Sequence, residues 1–62
     1  MDYVIKRIRE EKNMTQEELS NKSGVNRTTI IALESGKNVN VTVKTLKAIA
    51  EVLGKEVDEL FN

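Results

Sequence analysis

The chain has 62 residues, ten basic and ten acidic, and no cysteine, histidine or proline. Without Cys or His there is no disulfide frame, no thiol nucleophile, no zinc site of the usual kind and no imidazole acid-base chemistry, so no enzyme, metal or cofactor is expected. A core this thin calls for tight helix packing or a second subunit.

Neither a signal peptide nor a long apolar run nor a Pro- or Gly/Ser-rich linker is present, so the expectation is one complete domain, residues 1–62, in the cytoplasm and not in a membrane. In chain order the first helix is expected at 2–12, with Ile5 and Ile8 on one face and Val4 beside them, and Asn13 after it. Thr15 followed by Glu18 is a capping box, and the flanking pair Met14 and Leu19 is placed as a hydrophobic staple, which starts the second helix at 16–23. Gly24 supplies a sharp turn, and Asn26 caps a third helix at 27–35 with Val25 and Ile30 as its staple. Gly36 ends that helix.

The stretch from Asn38 to Val43 alternates like a strand but has no second strand to pair with, so it is expected to be a loop. Thr42, with Val41 and Leu46 as staple, opens a fourth helix at 43–53 that Gly54 closes, and a fifth is placed at 57–61. The fold class that follows is all-α, with five helices.

Helical spacing turns Leu19 and Ser23, Ile30 and Leu33, and Leu46, Ile49, Ala50 and Leu53 inward, with Val57, Leu60 and Phe61 closing the core. Arg9, four residues after Ile5, and Glu34, four after Ile30, fall on inner faces too. An unpaired buried charge costs several kcal/mol, so these two are expected to meet in a structural salt bridge; the alternative is that both snorkel to water.

Two short helices joined at a glycine, each with its own start signal, are what a DNA-reading helix-turn-helix at about 16–35 requires. Charge argues only weakly: residues 1–37 carry one more basic than acidic side chain and the remainder one fewer, so any hold on phosphate rests on a few placed donors and helix N-termini. The neighbouring carboxylates Glu10-Glu11 and Glu17-Glu18 diverge by about 100° on a helix and share no site. Tyr3 and Phe61 are too few for a stacking platform on single strands.

The order TQEEL, SGVNRTTI, ALESGK, TLKAIAEVLG and DELF resembles the Cro/repressor type of helix-turn-helix, the XRE family of bacterial and phage regulators. Gln16-Glu17-Glu18-Leu19, Gly24-Val25, Ile30, Glu34 and Gly36-Lys37 carry the likeness most specifically. The resemblance implies a compact, lambda-repressor-like fold, sequence-specific binding of double-stranded DNA by the third helix, a transcriptional regulator and commonly a homodimer. It also implies that Gln16 meets the DNA backbone and that Arg9 pairs with Glu34.

With Ile30 and Leu33 inward, the third helix presents Thr28, Ala32 and Ser35 outward, with Arg27 and Ile31 at the edges. Its N-terminal residues come nearest the base edges in the major groove. Arg27 forks onto guanine or holds a phosphate; Thr28 offers a hydroxyl or a methyl, or only shields the helix start. Ile31 and Ala32 stand where relatives carry polar or basic residues, so apolar contact with thymine methyls, and a short A/T-rich half-site, is expected there. Thr15, Gln16, Asn26, Lys37 and Asn38 are the phosphate candidates, each with a plainer role beside it: a cap for Asn26, solvated surface for Lys37, Asn38 and Gln16.

So few polar readers cover too short an address, which points to a homodimer on a near-palindromic operator, formed through the 39–43 loop and the C-terminal helices and most simply acting as a repressor. Phage or mobile-element repressors, restriction-modification controllers and antitoxin-like regulators are the settings considered. The competing reading is a helical protein-interaction module in which Ile31, Val39, Val41 and Val43 dock a partner.

Overall fold

The computed structural model describes residues 3–36 and 40–61. Among these, four α-helices follow one another, α1 (Ile5–Glu11), α2 (Gln16–Ser23), α3 (Arg27–Glu34) and α4 (Val43–Leu53), before a 3-10 turn at Val57–Leu60. The expected fifth helix is therefore a single 3-10 turn, and α1 begins at Ile5, not at residue 2. Both departures have one cause. The backbone N–H of Val4 donates to the carbonyl of Leu60 at 2.8 Å, Tyr3 and Phe61 form an isolated antiparallel bridge, and their rings stack with centroids 4.9 Å apart and a 34° tilt. Residues 3 and 4 are thus held against the last segment, Tyr3 by the bridge and Val4 by its N–H, with an aromatic pair joining Tyr3 to Phe61.

The start signals operate as local chemistry predicts. Thr15 Oγ1 accepts from Glu18 N at 3.0 Å while Glu18 Oε1 accepts from Thr15 N at 3.3 Å, completing the capping box. Asn26 Oδ1 accepts from Thr28 N at 2.7 Å and Thr42 Oγ1 from Thr45 N at 3.1 Å, so α3 and α4 are capped in the same way. Met14, Val25 and Val41, the outer halves of the three staples, are half buried against the core. The stops are left-handed: Asn13 has φ of 54° and Gly24 of 73°.

The core is built from the inward stripes of every element. Ile5 and Ile8 of α1, Leu19 of α2, Ile30 and Leu33 of α3, the four α4 residues Leu46, Ile49, Ala50 and Leu53, and Leu60 are buried together. Helix α2 packs on both α3 and α4, α1 on α3, and the 3-10 turn on α4. Val41 belongs to the rim of this core, which removes it from the surface expected to be free for docking, and Leu60 lies in the interior where its expected place in the core puts it. Phe61 is half buried beside Tyr3, and Val39 lies outside the described residues.

Gly24 turns α2 into α3 with nothing within 4 Å of where a Cβ would stand. A side chain there meets no clash, only the left-handed backbone, so Gly24→Ala is expected to lower stability by about 1–2 kcal/mol and Gly24→Asn by less. Urea denaturation of the three proteins measures the difference.

Candidate nucleic-acid interface

The pair foreseen on the inner faces exists and joins more than two helices. Arg9 Nε donates to Glu34 Oε2 at 2.7 Å and Nη2 to Oε1 at 3.0 Å, a two-pronged contact from α1 to α3. The third nitrogen, Nη1, donates to the carbonyl of Met14 at 2.6 Å, tying down the link between α1 and α2. Gln16 Nε2, at the first position of α2, donates to the same Glu34 Oε1 at 3.0 Å. The two side chains are 10% and 3% exposed. The hydrogen bond to Glu34 lifts the Arg9 pKa above its ordinary value, against burial, which acts the other way.

This node sets the angle at which α2 and α3 present their first turns. Two further bonds lock the turn between them: Ser20 Oγ donates to the carbonyl of Val25 at 2.7 Å, and Ser23 Oγ accepts from Val25 N at 3.1 Å. Ser23 also donates back to Leu19 O at 2.6 Å, which is why a serine occupies an inward position.

On α3 the buried side is Ile30 and Leu33; Thr29, Ala32 and Glu34 are half buried; Arg27, Thr28 and Ile31 face solvent, and Ser35 follows them at the C-cap. Arg27, Ile31 and Ser35 are spaced by four residues and so run down one face. Of the expected base-contacting set, Arg27, Thr28 and Ile31 lie on that exposed stripe, and Ala32 is recessed beside it. Among the described residues Arg27 makes no ion pair.

Of the residues expected at phosphate, Asn26 stands at the head of this stripe and Thr15 and Gln16 at the start of α2, where Gln16 reaches Glu34 at the other end of α3; the side chain of each of these three is already held by one internal bond. Thr15 uses an oxygen lone pair for its cap and keeps its O–H; Asn26 uses Oδ1 and keeps its NH₂; Gln16 uses one N–H on Glu34 and keeps the other. Each is therefore a positioned side chain with a donor to spare. Glu17 and Glu18 in the first turn of α2 oppose an anion there, so the first turn of α3, with no acidic residue, is the more favourable end. Lys37 and Asn38 lie outside the described residues.

A shallow cleft between the turn and the start of α4, lined by Asn26, Thr29, Asn40, Thr42 and Thr45 with Val25 and Val41, adds the hydrogen-bonding groups of Thr29, Asn40 and Thr45, which the sequence does not single out. Helical spacing alone leaves Thr29 on a flank; the nearness of Asn40 comes only from the packing of α4.

The comparisons with known proteins agree with this arrangement. A family model described as Helix-turn-helix matches residues 5–60. The chain belongs to the XRE-type helix-turn-helix family of DNA-binding transcriptional regulators. It is 44% identical over 57 residues to an uncharacterized HTH-type transcriptional regulator of Archaeoglobus fulgidus, covering 92% of this chain and 79% of that one. A Methanocaldococcus jannaschii protein with the same description is 40% identical over 61 residues, covering 98% and 91%. Both relatives are archaeal, whereas bacterial and phage settings were the ones expected. Among solved structures, a chain of the SinR protein/SinI protein complex superposes with a TM-score of 0.83 at 30% identity, over 90% of this chain. This chain spans about half of that one, 54% of its length.

Removing either Arg9 or Glu34 leaves the other buried and uncompensated, so each single substitution is expected to cost about 3–5 kcal/mol, and replacing both by apolar residues of similar size to cost less than either. A denaturation double-mutant cycle reads the coupling. Because the Arg9 pKa is raised, its contribution is fully present below the ordinary arginine value and is lost only above it. Stability of the Arg9→Lys variant, whose ammonium titrates nearer pH ~10, should instead fall at alkaline pH where the wild type does not.

Proposed function

We propose that the protein acts as a repressor, laying α3 in the major groove of a near-palindromic operator as one half of a homodimer. The observation that carries this is the exposed stripe of α3, Arg27, Thr28 and Ile31, with Asn26 held at its head and Thr15 and Gln16 held at the start of α2. In this reading Arg27 and Thr28 meet base edges, Ile31 and Ala32 make apolar contacts, and Thr15, Gln16, Asn26, Lys37 and Asn38 grip the flanking phosphates. Activity is by occupancy of DNA, not by catalysis, and a protein acting there is placed in the cytoplasm with the nucleoid. No helix among the described residues is long and apolar enough to cross a membrane.

The dimer reading rests on the size of the address. One helix with two polar readers specifies a few base pairs, and two-fold repetition with half-sites about 10–10.5 base pairs apart, or a similar whole-turn spacing, extends it. Val43, 65% exposed at the first position of α4, is the exposed large apolar side chain among the described residues of the 39–43 region. The competing interaction module loses support because Val41 serves this chain's own core.

Selection of bound duplexes from a random-sequence pool, repeated at two salt concentrations, tests the function. A near-palindrome should be enriched, with affinity falling as salt rises; no enrichment would refute sequence-specific binding. On the selected duplex, Arg27→Ala should cost about 1–3 kcal/mol and flatten preference at one position per half-site, while Lys37→Ala weakens all sequences alike. Equal losses on selected and random DNA would assign Arg27 to phosphate. Val43→Glu should dissociate the dimer, seen by sedimentation, and lower affinity without altering which bases are preferred.

A further inference from the structure

Beyond its first turn, the exposed stripe of α3 has almost no capacity to donate or accept a hydrogen bond. Ser35, the next polar side chain along it, donates its hydroxyl to the carbonyl of Ala32 at 2.9 Å. Between Arg27 and Ser35 stands Ile31, 44% exposed, and Ile31 and Val43 are the exposed large hydrophobics of the described residues. The core does not require it: Ile30 and Leu33 fill the inward positions at 0% and 1% exposure. An exposed isoleucine in the middle of a reading face has one partner of matching chemistry in the major groove, the C5 methyl group of a pyrimidine.

We propose that Ile31 recognises a pyrimidine C5 methyl, so that at this position the protein accepts 5-methylcytosine as it accepts thymine, and cytosine methylation alone converts a weak site into a strong one. The inference rests on α3 occupying the major groove. Thymine and 5-methylcytosine carry the same methyl on the same groove edge and differ in the O4 or N4 group next to it, which an aliphatic side chain neither donates to nor accepts from. Ile31 follows Arg27 by four residues, about 6 Å along the helix, and stacked base pairs are about 3.4 Å apart. The methyl-bearing pyrimidine therefore lies about one to two base pairs from the base met by Arg27.

The test uses a duplex selected from the random pool, remade with deoxyuridine at each thymine in turn, and with cytosine or 5-methylcytosine opposite guanine at the position that responds. Binding of the wild type, Ile31→Ala and, as a second variant at this exposed site, Ile31→Gln is measured after helical circular dichroism confirms folding. Uridine at one position per half-site should weaken the wild type about three- to fivefold, the factor for one buried methyl group, and 5-methylcytosine should exceed cytosine by the same factor. Both differences should vanish in the Ile31 variants. Uridine without effect at every position, or a methyl response that persists in both variants, overturns the inference. If Arg27→Ala still relaxes base preference in either case, α3 remains the reading helix and only the role of Ile31 fails. No enriched sequence in the selection overturns the groove reading and this inference with it.

Discussion

Arg9 makes three directed hydrogen bonds that serve two purposes. Two hold the carboxylate of Glu34 near the end of α3, and the third holds the carbonyl of Met14 just before α2 starts. Because Gln16 donates to the same carboxylate, α1, α2, α3 and the first interhelical link converge on one buried ion pair. Apolar contacts are tolerant of small rotations; a forked guanidinium on a carboxylate is not. In a domain with so thin a core, the pair converts a loose packing of helices into one defined crossing of α2 and α3, and that crossing is what a groove-reading pair of helices needs. Whether it adds net stability over an apolar replacement is a separate matter from the orientation it specifies.

Orientation would be lost if the turn were free. Gly24 takes the left-handed conformation, Ser20 and Ser23 bond both faces of Val25, and Val25 itself sits on the core. The side chains expected at phosphate are then held by bonds within the protein, which lowers the entropy lost when they engage DNA. Among the described residues of the proposed DNA-facing surface, Thr15, Gln16 and Asn26 are thus already tied to backbone or to another side chain, with Arg27 as the long, unpaired exception.

Much of this was legible because the signals are local. A cap needs its partner two or three residues away, a left-handed stop needs one residue, and an inward stripe needs a period of 3.6; Thr15–Glu18, Asn26, Gly24 and the α4 stripe Leu46, Ile49, Ala50 and Leu53 are of that kind. Arg9 and Glu34 were legible for a different reason: each breaks an apolar pattern, and two breaks of opposite charge suggest each other. What was not legible depends on tertiary placement. The clasp of Tyr3 on Phe61, with Val4 N on Leu60 O, carries no signal in either segment alone, and it shortened α1 and left a 3-10 turn in place of a fifth helix. The second partner of Glu34 was hidden likewise, since nothing in the order of residues places Gln16 at that carboxylate. Val41 was legible as the staple of α4, and only its alternative place on a docking surface fails, because the alternation through this loop does not say which side faces the core.

Neutral overall charge gives the exposed helix its meaning. A strongly basic domain holds DNA of any sequence by displacing counterions, and its specific contacts then add to a large indifferent affinity. Here acidic side chains balance basic ones, and two of them, Glu17 and Glu18, sit in the first turn of the very helix that flanks the reading surface. Indifferent attraction is correspondingly small, so affinity has to come from contacts that depend on sequence, which the proposed reading assigns to a fork from Arg27, a hydroxyl from Thr28 and the apolar surface of Ile31, all three exposed. Three such contacts are few for one half-site, and doubling them by symmetry raises affinity and discrimination together, whereas adding lysines would raise only the first. In the proposed reading a low background and a repeated short address are therefore two sides of one arrangement, with the exposed Val43 at the head of α4 as the proposed contact between copies.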